Sequence, residues 1–334
     1  MDQLDEKKTL MTSRSLRYTY HLVPALNGQP TVLLLHGFPD SATLWFDFIR
    51  SHLQPAGYGA IAIDCLGYGG SSKPSDTVAY NFKDMTADVC EILDAANLGK
   101  VIVLGHDWGS NFAQRVYNYH PERTLALAMV NVAYMPPGMP LNLDQINDMT
   151  SKTYGYGILQ YWNLFASEEG ADTLSKHAES MWTALHGRPE AWREVWCQPD
   201  SMKNYLLRDE MQPTEHYATQ ELKEAWISRL QRDGFDGPLR WYKSLVRGVQ
   251  GEVEKDSAAM QNMVINVPTL FVAASRDVVC RPDAIDRPLE MGLLPKLTTV
   301  TVDAGHWCML AMPEEFGEKV TTWMRDMSSG TKRE

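Results

Sequence analysis

Residues 101–110 constrain this chain more than any other stretch. Four apolar residues, Val101-Ile102-Val103-Leu104, run into Gly105-His106-Asp107-Trp108-Gly109-Ser110, and a helical pattern begins at Asn111-Phe112-Ala113. An apolar run this short and unbroken reads as a strand buried on both faces. A sharp strand-to-helix turn strains its central residue and brings the helix close to the sheet, so it needs tiny neighbours, here Gly105 and Gly109. The spacing is that of a strand–turn–helix elbow, G-x-Nu-x-G, with Asp107 where a serine is commoner. Taken alone, such a turn also occurs without any chemistry. The rest of the chain has to decide.

Other short apolar runs flank the elbow. Residues 14–23 alternate polar positions with Leu16, Tyr18, Tyr20 and Leu22, as an edge strand of an antiparallel pair does. Thr31-Val32-Leu33-Leu34-Leu35 is a continuous apolar strand, followed by an amphipathic helix over 42–53. Gly59-Ala60-Ile61-Ala62-Ile63-Asp64 is another buried strand, closed by a Gly-rich loop at 67–74. Helical spacing returns over 82–96, and residues 125–132 give a further strand. Then the pattern stops. Residues 134–253 contain no buried strand and are rich in helix formers, Trp and Tyr. It resumes at 267–274, with a last strand at 297–302 and an amphipathic helix over 313–327, while residues 1–13 read as polar and loose. Strands alternating with helices predict an α/β chain with a mainly parallel sheet covered on both faces. The expected organisation is a core of 14–133 and 254–327, with a helical cap at 134–253 inserted between two strands.

Composition narrows the partners. The 334 residues carry 42 acidic and 31 basic side chains, a net −11, which argues against nucleic acid or an anionic membrane surface. No apolar run approaches the length of a membrane span, and the polar start Met1-Asp2-Gln3-Leu4-Asp5-Glu6-Lys7-Lys8 does not read as a signal peptide. Five scattered cysteines with no C-x-x-C point to reduced thiols in a cytoplasmic protein, and no His or Cys spacing suggests a zinc site.

Ligands of open α/β sheets gather at the carboxyl ends of the strands. Collected there are His36, Gly37 and Phe38, then Asp107 and Trp108, Asn131, Asp277 and His306. The order Asp107, Asp277, His306 is that of a nucleophile–acid–base triad on one kind of hydrolase sheet. Each member also has a plainer use. His306 could be a capped histidine after a strand, and Asp277 the N-cap of a following helix. His36 is expected to bond loop backbone, and His106 to pack under the elbow. Three such residues in this order at these strand ends favour the triad.

These motifs, H-G-F-P at 36–39, G-Y-G-G-S-S-K-P at 67–74, G-H-D-W-G at 105–109 and G-H at 305–306, resemble those of α/β-hydrolase-fold epoxide hydrolases of the soluble type. The resemblance runs from 14 to 327 and implies a small-molecule epoxide as substrate, no cofactor or metal, and a monomer or homodimer. Asp107 would attack an epoxide carbon to form an ester, and His306, oriented by Asp277, would activate the water that cleaves it. The backbone N–H groups of Phe38 and Trp108 would form the oxyanion hole. The family protonates the epoxide oxygen with two cap tyrosines. Arg240-Trp241-Tyr242-Lys243 resembles the segment carrying one of them and assigns Tyr242; the other falls in 154–165, where Tyr161 followed by Phe165 fits the family spacing, with Tyr156 and Tyr154 as alternatives. His36, Pro39, Trp108, Tyr156 and Trp307 are expected around the substrate. Dehalogenases share the aspartate elbow. Haloalkane enzymes usually need an Asn or Trp where Phe38 stands, and haloacetate enzymes need arginines where Trp108 and Asn111 stand. An epoxide-opening cyclase or a non-catalytic ligand receptor on the same fold are further alternatives.

Overall fold

The computed structural model describes residues 6–255 and 257–330 and centres on one eight-stranded sheet. Its strands are β1 (Lys7–Met11), β2 (Arg17–Val23), β3 (Thr31–Leu35), β4 (Gly59–Asp64), β5 (Val101–His106), β6 (Thr124–Val130), β7 (Thr269–Ala274) and β8 (Leu297–Val302). They lie in the order β1-β2-β4-β3-β5-β6-β7-β8. β2 runs antiparallel to both β1 and β4, and every pairing from β4 to β8 is parallel. β3, β4, β5 and β7 are buried along their whole length, as their unbroken apolar sequences require when helices cover both faces.

Four expectations need correction. Residues 7–11 are not loose but form the edge strand, and β2 is the second strand rather than the edge. β1 is exposed and half-buried by turns, and Lys7 and Lys8 give it no apolar signature. Its order comes from the backbone ladder to β2, in register from Lys7–His21 to Met11–Arg17. Met1 to Asp5, part of the stretch read as loose and as no signal peptide, lie outside the described residues. The segment expected as one helix over 42–53 is helical throughout but changes pitch, from a 3₁₀ turn at Ala42–Trp45 to a π turn at Ile49–Leu53. The strand expected over 125–132 ends at Val130, because Asn131 adopts a left-handed φ of 66°.

The helix Phe82–Ala95 begins at Asn81, whose side chain accepts the Asp84 N–H, a cap worth about 1 kcal/mol. Between β6 and β7 the chain forms a series of helices from Leu143–Tyr154 to Ala258–Gln261, with one isolated bridge, Gly187 to Thr214, among the described residues. This block is fastened to the sheet side. Trp241 Nε1–H donates to Leu66 O at 2.8 Å, and Arg229 donates to Pro39 O and Ser41 Oγ, each at 2.7 Å. At Gly67 and Gly237 the two backbones touch directly, and a Cβ on either would collide with the other's carbonyl. Among the described residues no helix is long and apolar enough to cross a membrane.

Candidate active site

The elbow takes the geometry its glycines allow. Asp107 has φ 54° and ψ −124°, a conformation an L-residue holds at a cost of roughly 1–3 kcal/mol. A Cβ on Gly105 would run into Gly109 O, and one on Gly109 into Leu35 O. The helix Trp108–Tyr119 can therefore lie directly on the sheet, which lifts the Asp107 carboxylate off the end of β5. A Cβ on Gly37 would collide with that carboxylate, so the loop after β3 also depends on glycine to approach it. There the Phe38 N–H donates to Asp107 Oδ1 at 2.7 Å, while Asp107 Oδ2 faces His306 Nε2 at 3.6 Å. At that distance the second contact is an ion pair rather than a full hydrogen bond.

Asp277 and His306 arrive from the ends of β7 and β8. His306 Nδ1–H donates to Asp277 Oδ2 at 2.6 Å, and Asn131 Nδ2–H donates to the same oxygen at 2.8 Å. The left-handed turn at Asn131 aims it there. Asp277 Oδ1 accepts the N–H groups of Val279 and Cys280, each at 2.9 Å. The helix-cap alternative for Asp277 does not hold: the 3₁₀ turn that follows, Pro282–Ile285, starts after Arg281, and Asp277 Oδ1 instead braces the bend at Val279 and Cys280 while the other oxygen holds the histidine. Burial alone would raise Asp277, but the positive His306 and these hydrogen bonds hold it below the usual carboxylate range. Burial would likewise raise Asp107; the contact and charge of His306, the His106 ring and the Trp108 N–H lower it instead. His306 shows the converse. Burial disfavours its charge, yet the Asp277 carboxylate, then the Asp107 and Asp277 contacts, raise it well above an ordinary histidine.

Helices between β6 and β7 cover this group with aromatic rings. Tyr242, on the helix Asp236–Val246, packs 5.0 Å from Trp108, 5.4 Å from Phe38, 5.0 Å from Trp162 and 5.1 Å from Phe165, centroid to centroid. Its helix neighbour Trp241 is the residue bonded to Leu66 O, so the anchor fixes the position of Tyr242. Tyr161, just before the helix Trp162–Phe165, lies 6.2 Å from Tyr242 and 5.1 Å from Phe165. Burial first, and then their mutual charge and that of Asp107 on Tyr242, or Cys280 and Asp107 on Tyr161, raise both phenols well above 10. Both remain protonated donors at neutral pH. Tyr156 is engaged elsewhere: its hydroxyl donates to Val278 O at 3.1 Å and accepts from Arg281 at 3.0 Å. Tyr154 stacks under the Arg281 guanidinium at 3.9 Å.

The remaining expected residues are held by contacts of their own. His36 Nδ1 meets Gly37 O at 2.9 Å and its Nε2 accepts the Cys65 N–H at 3.0 Å. His106 lies under the elbow with Nε2 2.9 Å from His306 O. Pro39 follows a cis peptide and its carbonyl takes the Arg229 bond. Trp307 Nε1–H donates to Asp40 Oδ2 at 2.9 Å. Sequence reasoning missed three neighbours. Trp192 stacks on His306 at 5.3 Å, Arg229 reaches the loop beside Phe38, and the Cys280 thiol converges with Asp277 and His306 into the sole group of three possible metal donors among the described residues. Only Cys280 had a local signal, three residues after the triad aspartate.

Comparison with known proteins identifies the family. A family profile described as alpha/beta hydrolase fold matches residues 30–311. The chain is 30% identical over 297 residues to epoxide hydrolase A of Mycobacterium tuberculosis, covering 86% of this chain and 88% of that protein. The crystal structure of epoxide hydrolase A from Mycobacterium thermoresistibile superposes with a TM-score of 0.78 at 26% identity, over 96% of this chain and 98% of the other. An epoxide hydrolase from an endophytic Streptomyces shares the fold, with a TM-score of 0.79 at 24% identity over 98% and 97% of the two chains. The chain belongs to the α/β-hydrolase fold family and, within it, to the epoxide hydrolases.

Proposed function

We propose that this enzyme converts a small-molecule epoxide to a vicinal diol through an ester on Asp107. The observation that carries the reading is the placement of one carboxylate between two partners: Oδ1 on the Phe38 N–H and Oδ2 toward His306 Nε2. Oδ2 is the oxygen free to attack. It forms a bond to an epoxide carbon, the C–O bond of the ring breaks, and the ring oxygen takes a proton from Tyr242 or Tyr161. A carboxylate needs no base for this step, because it is already ionised at neutral pH. His306, held by Asp277, then removes a proton from water as it adds to the Asp107 carbonyl carbon. The negative charge collects on Oδ1, which already accepts the Phe38 N–H, with the Trp108 N–H, also bonded to this carboxylate, as the second donor. Collapse of that intermediate breaks the ester C–O bond; the departing alkoxide takes the proton of the new carboxyl group, which gives the diol and restores the carboxylate, and the proton taken up by His306 makes up the one the tyrosine gave.

On this reading residues 14–133 and 254–327 are the catalytic core, residues 134–253 are a cap that carries the acids, and His36, Pro39, Tyr156 and Trp307 support the walls. Five unpaired cysteines suit a cytoplasmic enzyme acting as a monomer or homodimer. A single turnover in heavy-oxygen water tests the ester. Label is expected in the Asp107 carboxylate, since the diol takes its second oxygen from the enzyme; label in the diol after one turnover rejects the mechanism.

A further inference from the structure

We propose that Cys280, His306 and Asp277 form an inhibitory site for a soft divalent cation, Zn²⁺ or Cd²⁺. Each brings one donor atom, a thiol sulfur, an imidazole nitrogen and a carboxylate oxygen, and these lie within 4.8 Å of one another. Tetrahedral zinc holds sulfur at about 2.3 Å and nitrogen or oxygen at about 2.0–2.2 Å, so neighbouring donors stand roughly 3.5 Å apart. Side-chain rotation spans that difference. Cys280 takes no part in the reaction proposed above. It is folded over the triad because its own N–H caps Asp277 Oδ1. Burial pushes its thiol up to about 12, so the sulfur is protonated until a metal displaces the proton.

The surroundings favour a cation. Asp107 Oδ2 stands 3.6 Å from the same imidazole, so two carboxylates face one histidine. Mg²⁺ and Ca²⁺ prefer all-oxygen shells, whereas sulfur with imidazole selects Zn²⁺ and softer ions. Asp277 and His306 also line a narrow cavity with Pro189, Trp192 and Trp307. Binding forms bonds from the metal to sulfur, nitrogen and oxygen. The thiol proton and the imidazolium proton leave to solvent, and no electrons are transferred. A metal on His306 removes the base but leaves Asp107 free, so the enzyme stalls as its ester. Only this inhibition rests on the reading of His306 as base; the binding does not.

The test titrates the purified enzyme with Cd²⁺, following the ultraviolet thiolate-to-metal band, and measures epoxide turnover with Zn²⁺ before and after EDTA. One Cd²⁺ per chain is expected, with activity restored by EDTA and ester accumulating under Zn²⁺. Cys280→Ser should abolish that band and raise the half-inhibiting Zn²⁺ concentration at least about tenfold. His306→Gln, which keeps the thiol, should weaken Cd²⁺ binding to a similar degree. A band that survives Cys280→Ser, equal Zn²⁺ sensitivity of both proteins, or unchanged affinity in His306→Gln overturns the site. If the Cys280-dependent band forms but no epoxide is turned over, the metal site stands and the proposed reaction falls.

Discussion

Esterification of Asp107 changes the charge that His306 sees. In the free enzyme the imidazole is buried, which lowers its proton affinity, but the carboxylates of Asp277 and Asp107 more than reverse that. Its proton is thus held more tightly than that of an ordinary histidine. Once Asp107 is an ester it carries no charge, and only Asp277 still favours the proton. On the proposed mechanism the proton affinity of His306 falls at that stage, in the direction ester cleavage requires of a base. Ring opening depends on different residues. Tyr242→Phe keeps the packing against Phe38, Trp108, Trp162 and Phe165 but removes a donor. Ring opening is expected to slow by roughly 100-fold, the low end for a positioned acid because Tyr161 remains, with ester cleavage little changed. Rapid-quench separation of the two steps checks this; equal slowing of both rejects the acid role.

At the scale of elements, the helix Asp236–Val246 is tied to the sheet side through Trp241 and the paired glycines at 67 and 237. Trp241→Phe keeps a ring there but leaves the buried Leu66 carbonyl without its donor, a loss of about 1–3 kcal/mol. The denaturant midpoint should fall accordingly, and ring opening should slow more than ester cleavage, because the next residue is Tyr242. A full-stability variant with normal ring opening would show that the anchor is dispensable. The same scale explains what could be read in advance. β3, β4, β5 and β7 were legible because a strand buried on both faces is apolar at every position. The elbow became legible through Asp277 and His306 at later strand ends, because two glycines and an aspartate alone also make a turn with no chemistry. β1 was not, since its only signature is a ladder to β2 that no alternation of its own side chains announces. Trp192 and Arg229 were invisible for a related reason: they meet His306 and the Phe38 loop only once the cap helices have packed, and nothing local marks those faces.

Across the whole molecule, three histidines are buried as neutral rings. Burial lowers His36 to about 4 and His106 and His186 to about 3, the last two helped by the charge of His306. Their unfolded counterparts titrate near 6.5, so the unfolded chain binds more protons between that value and about 3. The stability they contribute is complete above about 6.5 and is lost as pH falls toward 4 and below. Asp107 and Asp277, held below the usual carboxylate range, add to the loss at the acid end. His306, raised instead, contributes in the opposite sense: its share is present below 6.5 and is lost only as pH rises through its elevated value. The melting temperature should therefore drop steeply between pH 6.5 and 4. His186→Gln should reduce the slope of unfolding free energy by up to one proton, about 1.4 kcal/mol per pH unit. A melting temperature flat across that range would contradict the neutral burial of these rings.

The insertion of the helical block between β6 and β7 has a consequence for how the protein is made. A ribosome releases the chain from its N-terminus, so β1 through β6 and the elbow emerge long before β7, β8 and His306. Through that interval β6 has β5 on one side and nothing on the other, and its open edge is a row of buried-type residues, Leu127, Ala128, Met129 and Val130. Such an edge recruits other strands when its own partner is late. The nascent chain is thus at its stickiest while the helical block between β6 and β7 is being synthesised, and Asp107 stands for that whole period without Asp277 and His306.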